Sequence, residues 1–135
     1  MGVLSIADAV VTALNARSWK MGFTATRALR PIYELSDLSA VQIAVVPKAV
    51  ERERLSRAAV QKNTTIDIGV LKRTASAAEY DTLIELCEEI ADYFPGVSLD
   101  GHFCQKTIYD PIYHPEHVEE LNQFTGLVSL EIKGV

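Results

Sequence analysis

Cysteine is scarce: Cys87 and Cys104 are the only two in 135 residues. That rules out a disulfide framework, and both are expected as reduced thiols. A bridge between them stays open on sequence alone, because it depends on how closely their Cα atoms approach. Long apolar runs are absent too, and nothing approaches the roughly 20 residues of a membrane-spanning helix. The stretch MGVLSIADAVV has no basic residue ahead of its apolar part and carries Asp8, so no secretory signal is expected there. Ile6 stands where a myristoylation signal has Ser or Thr. Positive charge is in deficit, with 13 Lys and Arg against 18 Asp and Glu and a net charge of −5. That balance argues against a protein whose main task is to grip nucleic acid. There is no glycine-rich phosphate loop, no G-x-S-x-G elbow, no internal repeat and no low-complexity tract.

What is present is an ordinary globular composition, 48% hydrophobic and 23% charged. The length suits a single domain over residues 1–135, and such a chain buries roughly two-thirds of its unfolded surface. The clearest pattern lies between Asn63 and Phe94. Over Thr64–Arg73, Ile66, Ile68 and Val70 alternate with other residues, the period of a strand. From Ser76 to Phe94 the period changes. Tyr80, Leu83, Ile84, Cys87, Ile90, Ala91 and Phe94 follow the spacing of a helix with one buried stripe. Ser76 with Glu79 reads as a capping box, and Pro95-Gly96 closes the helix. Its outer face carries Asp81, Glu85, Glu88, Glu89 and Asp92 with no Lys or Arg. Two readings follow: a solvated face, or a surface that meets a basic partner or repels polyanions.

The other elements are read in the same way. Ser5–Ala16 is a helix with a Ser5/Asp8 capping box and a stripe of Ile6, Val10, Ala13 and Leu14. Phe23–Leu29 is a strand that Pro31 interrupts and Tyr33-Glu34-Leu35 continues, with a turn at Ser36-Asp37. Ala40–Val46 is a strand, with Val41, Ile43 and Val45 on one face and Pro47 as its stop. Lys48–Lys62 is polar and alternates in sign through Glu51, Arg52, Glu53, Arg54 and Arg57, which predicts a charged loop at 48–62. Gly101–Ile108 is a strand ended by Tyr109-Asp110-Pro111, and Val118 with Leu121 suggests one helical turn or a bend. Phe124–Lys133 is the closing strand. Val128, Leu130 and Ile132 share one of its faces; Ser129, Glu131 and Lys133 share the other. The order α-β-β-β-α-β-β predicts an α+β fold: an antiparallel or mixed sheet of about five strands with two helices on one face.

Candidate chemistry is thin. His114-Pro115-Glu116-His117 gathers metal-capable residues, but its spacing does not match the helical zinc signature, and a surface turn explains it. His102 and Cys104 share a strand face without further ligands. Glu131-Ile132-Lys133, with Asp67 or Asp110-Pro111, has the spacing of PD-(D/E)xK nucleases, whose carboxylates hold Mg²⁺ beside a lysine. A Glu-x-Lys triplet on an exposed strand face also arises by chance. No catalytic residue, metal ligand or cofactor is assigned, and an enzyme is not expected.

Several short segments resemble one group of virion proteins. They are Val45-Val46-Pro47, Ser56-Arg57, Ile66-Asp67-Ile68-Gly69-Val70, Asp110-Pro111-Ile112-Tyr113 with Pro115-Glu116-His117, and Gln123-Phe124-Thr125 before the closing strand. Together with the element order they are similar, over most of residues 3–133, to the tail terminator (tail completion) proteins of long-tailed bacteriophages. Head-closure and other neck proteins are alternatives of similar size. The resemblance implies a structural protein at the head–tail junction of the virion, made in the host cytoplasm. It implies a ring, typically a hexamer, on the head-proximal end of the tail tube, which stops tube growth and docks the head-completion proteins. DNA passes through such a ring without sequence-specific binding, and no membrane is involved. Under that reading Lys48, Glu51, Arg52, Glu53, Arg54 and Arg57 are candidate subunit contacts. Asp81, Glu85, Glu88, Glu89 and Asp92 form a candidate lumen or partner face.

Overall fold

Helix α1 (Val3–Ala16) forms because Ile6, Ala7, Val10 and Leu14 recur at helical spacing and present one buried stripe. In the computed structural model, which describes residues 2–19, 22–27, 41–54, 56–73, 77–110, 113, 115 and 123–134, it starts earlier than the capping pattern predicts. Gly2 is the N-cap and no side chain caps the helix. The Ser5/Asp8 box does not form; the Asp8 carboxylate accepts instead from Arg27 at 3.0 Å. Asn15 then pins the next element, accepting from the Ala25 N–H at 2.8 Å and donating to the Ala25 carbonyl at 3.1 Å. That element is β1 (Thr24–Arg27). The expected extension through Leu29, Pro31 and Tyr33–Leu35 and the Ser36-Asp37 turn lie outside the described residues.

Strand β2 (Gln42–Arg54) and strand β3 (Val60–Arg73) are far longer than their apolar cores suggest. Pro47 does not stop β2. The described pairing of β1 with β2 runs through Arg27↔Val45, and β2 continues past Pro47 beside β3. A register shift between Pro47 and Ala49 absorbs the irregularity, and pairing with β3 resumes from Ala49↔Thr65 to Arg54↔Val60. The predicted charged loop at 48–62 is therefore corrected: it is a β-ribbon, closed by a short turn.

Helix α2 (Ala77–Tyr93) follows. Ser76 lies outside the described residues, and Glu79 forms an ion pair with Lys72. Leu83, Leu86, Cys87, Ile90 and Phe94 are fully buried, while Tyr80, Ile84 and Ala91 flank them in part. The chain turns through Gly96 at φ +86°, the left-handed region that favours glycine. It then forms β4 (Ser98–Leu99), β5 (His102–Tyr109) and β6 (Gln123–Gly134). β4 is too short to leave a periodic signal and was not expected.

Among the described residues the sheet has six strands in the order β1-β2-β3-β6-β5-β4. β1 and β2 are parallel and every other pair is antiparallel, so this is a mixed-sheet α+β fold, as expected. Ile43, Val45, Ile66, Ile68, Val70, Val128, Leu130 and Ile132 join the buried stripes of both helices in one core. The opposite side of the sheet is not simply polar, since Ala44, Val46, Asp67, Leu71 and Thr125 are buried as well. The helix ends are tied by aromatics. Trp19 donates to the Leu14 carbonyl at 2.7 Å, meets Tyr93 edge-on at 5.5 Å, and shares with Tyr93 the Arg17 guanidinium, 4.6 Å from each ring.

One core position is mismatched. Thr64 is 1% exposed, lies between Val50 and Ile132 in the ladder, and its hydroxyl finds no partner among the described residues. A buried hydroxyl without a hydrogen bond costs about 1–3 kcal/mol, and valine has nearly the same shape. Thr64→Val is expected to raise stability by about 1 kcal/mol in urea titration; a loss of stability overturns this account of the site.

Candidate functional site

The ribbon of 50–54 and 60–64 is where sequence and architecture part company most. Side chains alternate sides along a strand. The ladder places Val50 opposite Thr64, and Thr64 opposite Ile132, on the helix-bearing side. Counting outward, Arg52, Arg54, Val60 and Lys62 continue that side, and Glu51, Glu53, Gln61 and Asn63 take the other. The alternating charges of 51–54 are thus sorted by sign.

Neither side holds an ion pair of its ribbon residues 51–54 among the described residues. On the acidic side Glu51 faces Asn63, and Asn63 faces Lys133. On the basic side Arg52 stands directly opposite Lys62, and like charges in that relation destabilise a ladder. Residues 51–54 are exposed. Arg52, Arg54, Arg57 and Lys62 form no ion pair among the described residues. Lys48, the remaining ribbon candidate, is drawn towards Asp67, 3.7 Å away.

The tip is ordered by its own residues. The Ser56 hydroxyl accepts from the Ala58 and Ala59 N–H groups at 3.3 and 3.2 Å, and the Ser56 N–H donates to the Ala59 carbonyl at 3.2 Å. Arg57 is presented there, exposed.

Helix α2 runs toward the root of this arm. Tyr80 near its start packs on Phe124, with ring centroids 6.1 Å apart. Near its end the Thr107 hydroxyl donates to the Ala91 carbonyl at 2.7 Å, and the Gly96 N–H donates to the Cys104 carbonyl at 2.7 Å. Cys104 pairs with Ile132, which pairs with Thr64, so the arm projects beyond the C-terminal end of α2. Asp81, Glu85, Glu88 and Asp92 are exposed along α2, and Glu89 is half-buried. The last turn carries no basic residue to offset them or the negative helix end.

The nuclease pattern does not assemble into an open site. Asp67 and Glu131 do fall on the same side of neighbouring strands. Asp67, however, accepts from the Ser129 hydroxyl at 2.7 Å and faces Lys48, while Glu131 pairs with Lys106 at 3.4 Å. Among the described residues no three His, Cys, Asp or Glu side chains are grouped to hold a metal. A pocket of about 250 Å³ lies at the arm root, lined by Glu51, Asn63, Thr65, Glu131 and Lys133 among others. His102 is buried, with Nδ1 3.1 Å from the Asp100 carbonyl and its ring packed where a Cβ on residue 134 would sit, which accounts for Gly134. His114, Glu116 and His117 lie outside the described residues. Both thiols are buried. Burial pushes Cys87 up to about 12, partly offset by a hydrogen bond from Tyr109, and burial pushes Cys104 up to about 11.

The chain matches no protein family model and no curated protein.

Proposed function

We propose that this chain is a non-enzymatic virion assembly protein, a ring-forming tail terminator of a long-tailed bacteriophage. The observation that carries the reading is the projecting arm, whose exposed cations form no ion pair among the described residues. Such a surface serves contact between molecules, not the packing of its own domain. The resemblance of the segments around Val45-Val46-Pro47, Ser56-Arg57 and Ile66–Val70 supplies the identity of the assembly. The ring, typically a hexamer, sits on the tail tube protein at the head-proximal end, stops tube growth, and offers its other surface to head-completion proteins while DNA passes through.

The test is direct. Purified protein mixed with isolated tail tubes is expected to appear by electron microscopy as a ring at one tube end and to stop further growth of tube subunits. Protein that never occupies tube ends, with growth unchanged, overturns the proposal.

A further inference from the structure

We propose that the arm is a contact for duplex DNA, with Arg52, Arg54, Arg57 and Lys62 placed to bind its phosphate backbone. The inference goes beyond the assembly reading and does not depend on it.

Charge is divided unevenly along the chain. Residues 48–62 carry a net charge of +3, while the remainder carries −8. A basic segment on an acidic body is the footprint of a contact with a polyanion. The fold makes that segment a projecting ribbon. Arg52 and Arg54 share one side of it with Lys62, Arg52 lies directly opposite Lys62, and Arg57 stands in the closing turn beyond the Arg54–Val60 pair. The three arginines are exposed and Lys62 is half-buried. None of the four forms an ion pair among the described residues.

Two properties select the anion. The first is density. A strand rises about 3.3 Å per residue, so Arg52 and Arg54 lie roughly 7 Å apart, with Lys62 about 5 Å across the ladder. Cations this close call for several anions at similar spacing, and duplex DNA carries one charge per about 1.7 Å of its axis. Like charges opposite each other weaken a free ladder, and bound phosphates remove that cost. Three of the four cations are arginines, whose planar fork matches phosphate in two hydrogen bonds. The second property is what the arm lacks. Residues 48–62 contain no aromatic side chain, and Val60 is their one exposed large apolar residue among the described residues. Protein interfaces centre on buried aromatic anchors, and helices that lie in a lipid surface insert apolar side chains. Protein–DNA interfaces are polar and strongly positive. Two strands are narrow enough for the major groove. Glu51 and Glu53 take the reverse of the ribbon, so DNA meets one side of the arm, and the acidic body confines the contact there.

The experiment measures binding of the full chain to a short fluorescent DNA duplex by anisotropy, from low to physiological salt. Four phosphate contacts predict a slope of about −3.5 per bound chain in log affinity against log salt. Arg52→Gln/Arg54→Gln is expected to weaken binding about 100-fold at low salt and to reduce the slope by about 2. Arg57→Gln, in the turn, is expected to cost about 10-fold and to reduce the slope by about 1, which keeps the test open if the ribbon variant fails to fold by circular dichroism. Glu51→Gln/Glu53→Gln is expected to bind at least as tightly as wild type. Duplexes of unrelated sequence are expected to bind equally, because phosphate contacts carry no sequence information. Wild type that does not bind at low salt, a flat salt dependence, or arginine variants that bind like wild type overturn the inference. So does a strong preference for one sequence. Displacement of the duplex by polyglutamate at equal charge concentration assigns the arm to an acidic protein surface and overturns it as well. Arm-dependent binding to phosphatidylserine vesicles without duplex binding overturns it in favour of a lipid surface.

Discussion

Phe94→Ala is expected to remove about 3–5 kcal/mol of folding stability, the range for deleting a buried aromatic ring. Phe94 is fully buried at the point where α2 ends, and its ring meets Tyr93 edge-on at 5.0 Å. It therefore stands where the helix stripe joins the aromatic group that ties α1 to α2. The turn that follows cannot slide to fill the space, because the Val97 N–H donates to the Phe94 carbonyl at 2.9 Å and the Gly96 N–H to the Cys104 carbonyl at 2.7 Å. A domain of this size is stable by about 5–15 kcal/mol, so the variant keeps only part of its margin. Urea titration measures the loss, with Leu4→Ala as the control, since Leu4 is 54% exposed. A loss below 1 kcal/mol in Phe94→Ala contradicts this description of the core.

The second large effect is alkaline. Cys87 is fully buried and its thiol is raised from 9.0 to about 12, by burial first, with the charge of Glu88 adding to it. A thiol ionises more readily in the unfolded chain than in this core, so protons are held more tightly by the folded state above pH 9. The stability it contributes is complete below about pH 9 and is lost as pH climbs from there toward 12. Lysine and tyrosine titrate in the same window, so the measurement is a comparison with Cys87→Val. Between pH 8 and 10.5 wild type is expected to lose about 2 kcal/mol more than the variant. Parallel pH profiles for the two proteins contradict the assignment.

How much of this was legible beforehand follows from period and length. Ile66, Ile68 and Val70, and Val128, Leu130 and Ile132, showed their strands because apolar residues at period two have one physical meaning. The α2 stripe was equally plain, although Leu86, fully buried, was missed among the acidic residues around it. The arm was misread for a definable reason. Glu51-Arg52-Glu53-Arg54 has no apolar residue to mark a strand, and mixed charge reads as a solvated loop. The signal was in the period itself, since alternating signs at period two give each side of a strand one sign. Pro47 concealed it further, because the register shift between Pro47 and Ala49 that accommodates it leaves no mark in the sequence. The Ser5/Asp8 box looked sound locally, but Asp8 is engaged by Arg27, a contact between distant positions that no local pattern carries. Of the candidate contact residues, those of the arm share a ribbon and those of α2 share a stripe, while Lys48 is drawn to Asp67.

The strand order has a consequence for synthesis. β6 lies between β3 and β5, yet it follows every other described strand in the chain. As the polypeptide leaves the ribosome, α1 and the first three strands emerge while the long inner edge of β3 still lacks its neighbour. An unpaired edge rich in Ile and Val templates association with other nascent chains. The sheet closes only when residues 123–134 arrive, because β5 and β4 join β3 through β6. Yield in the cell should respond more to translation speed and chaperone supply than the final stability of the domain suggests.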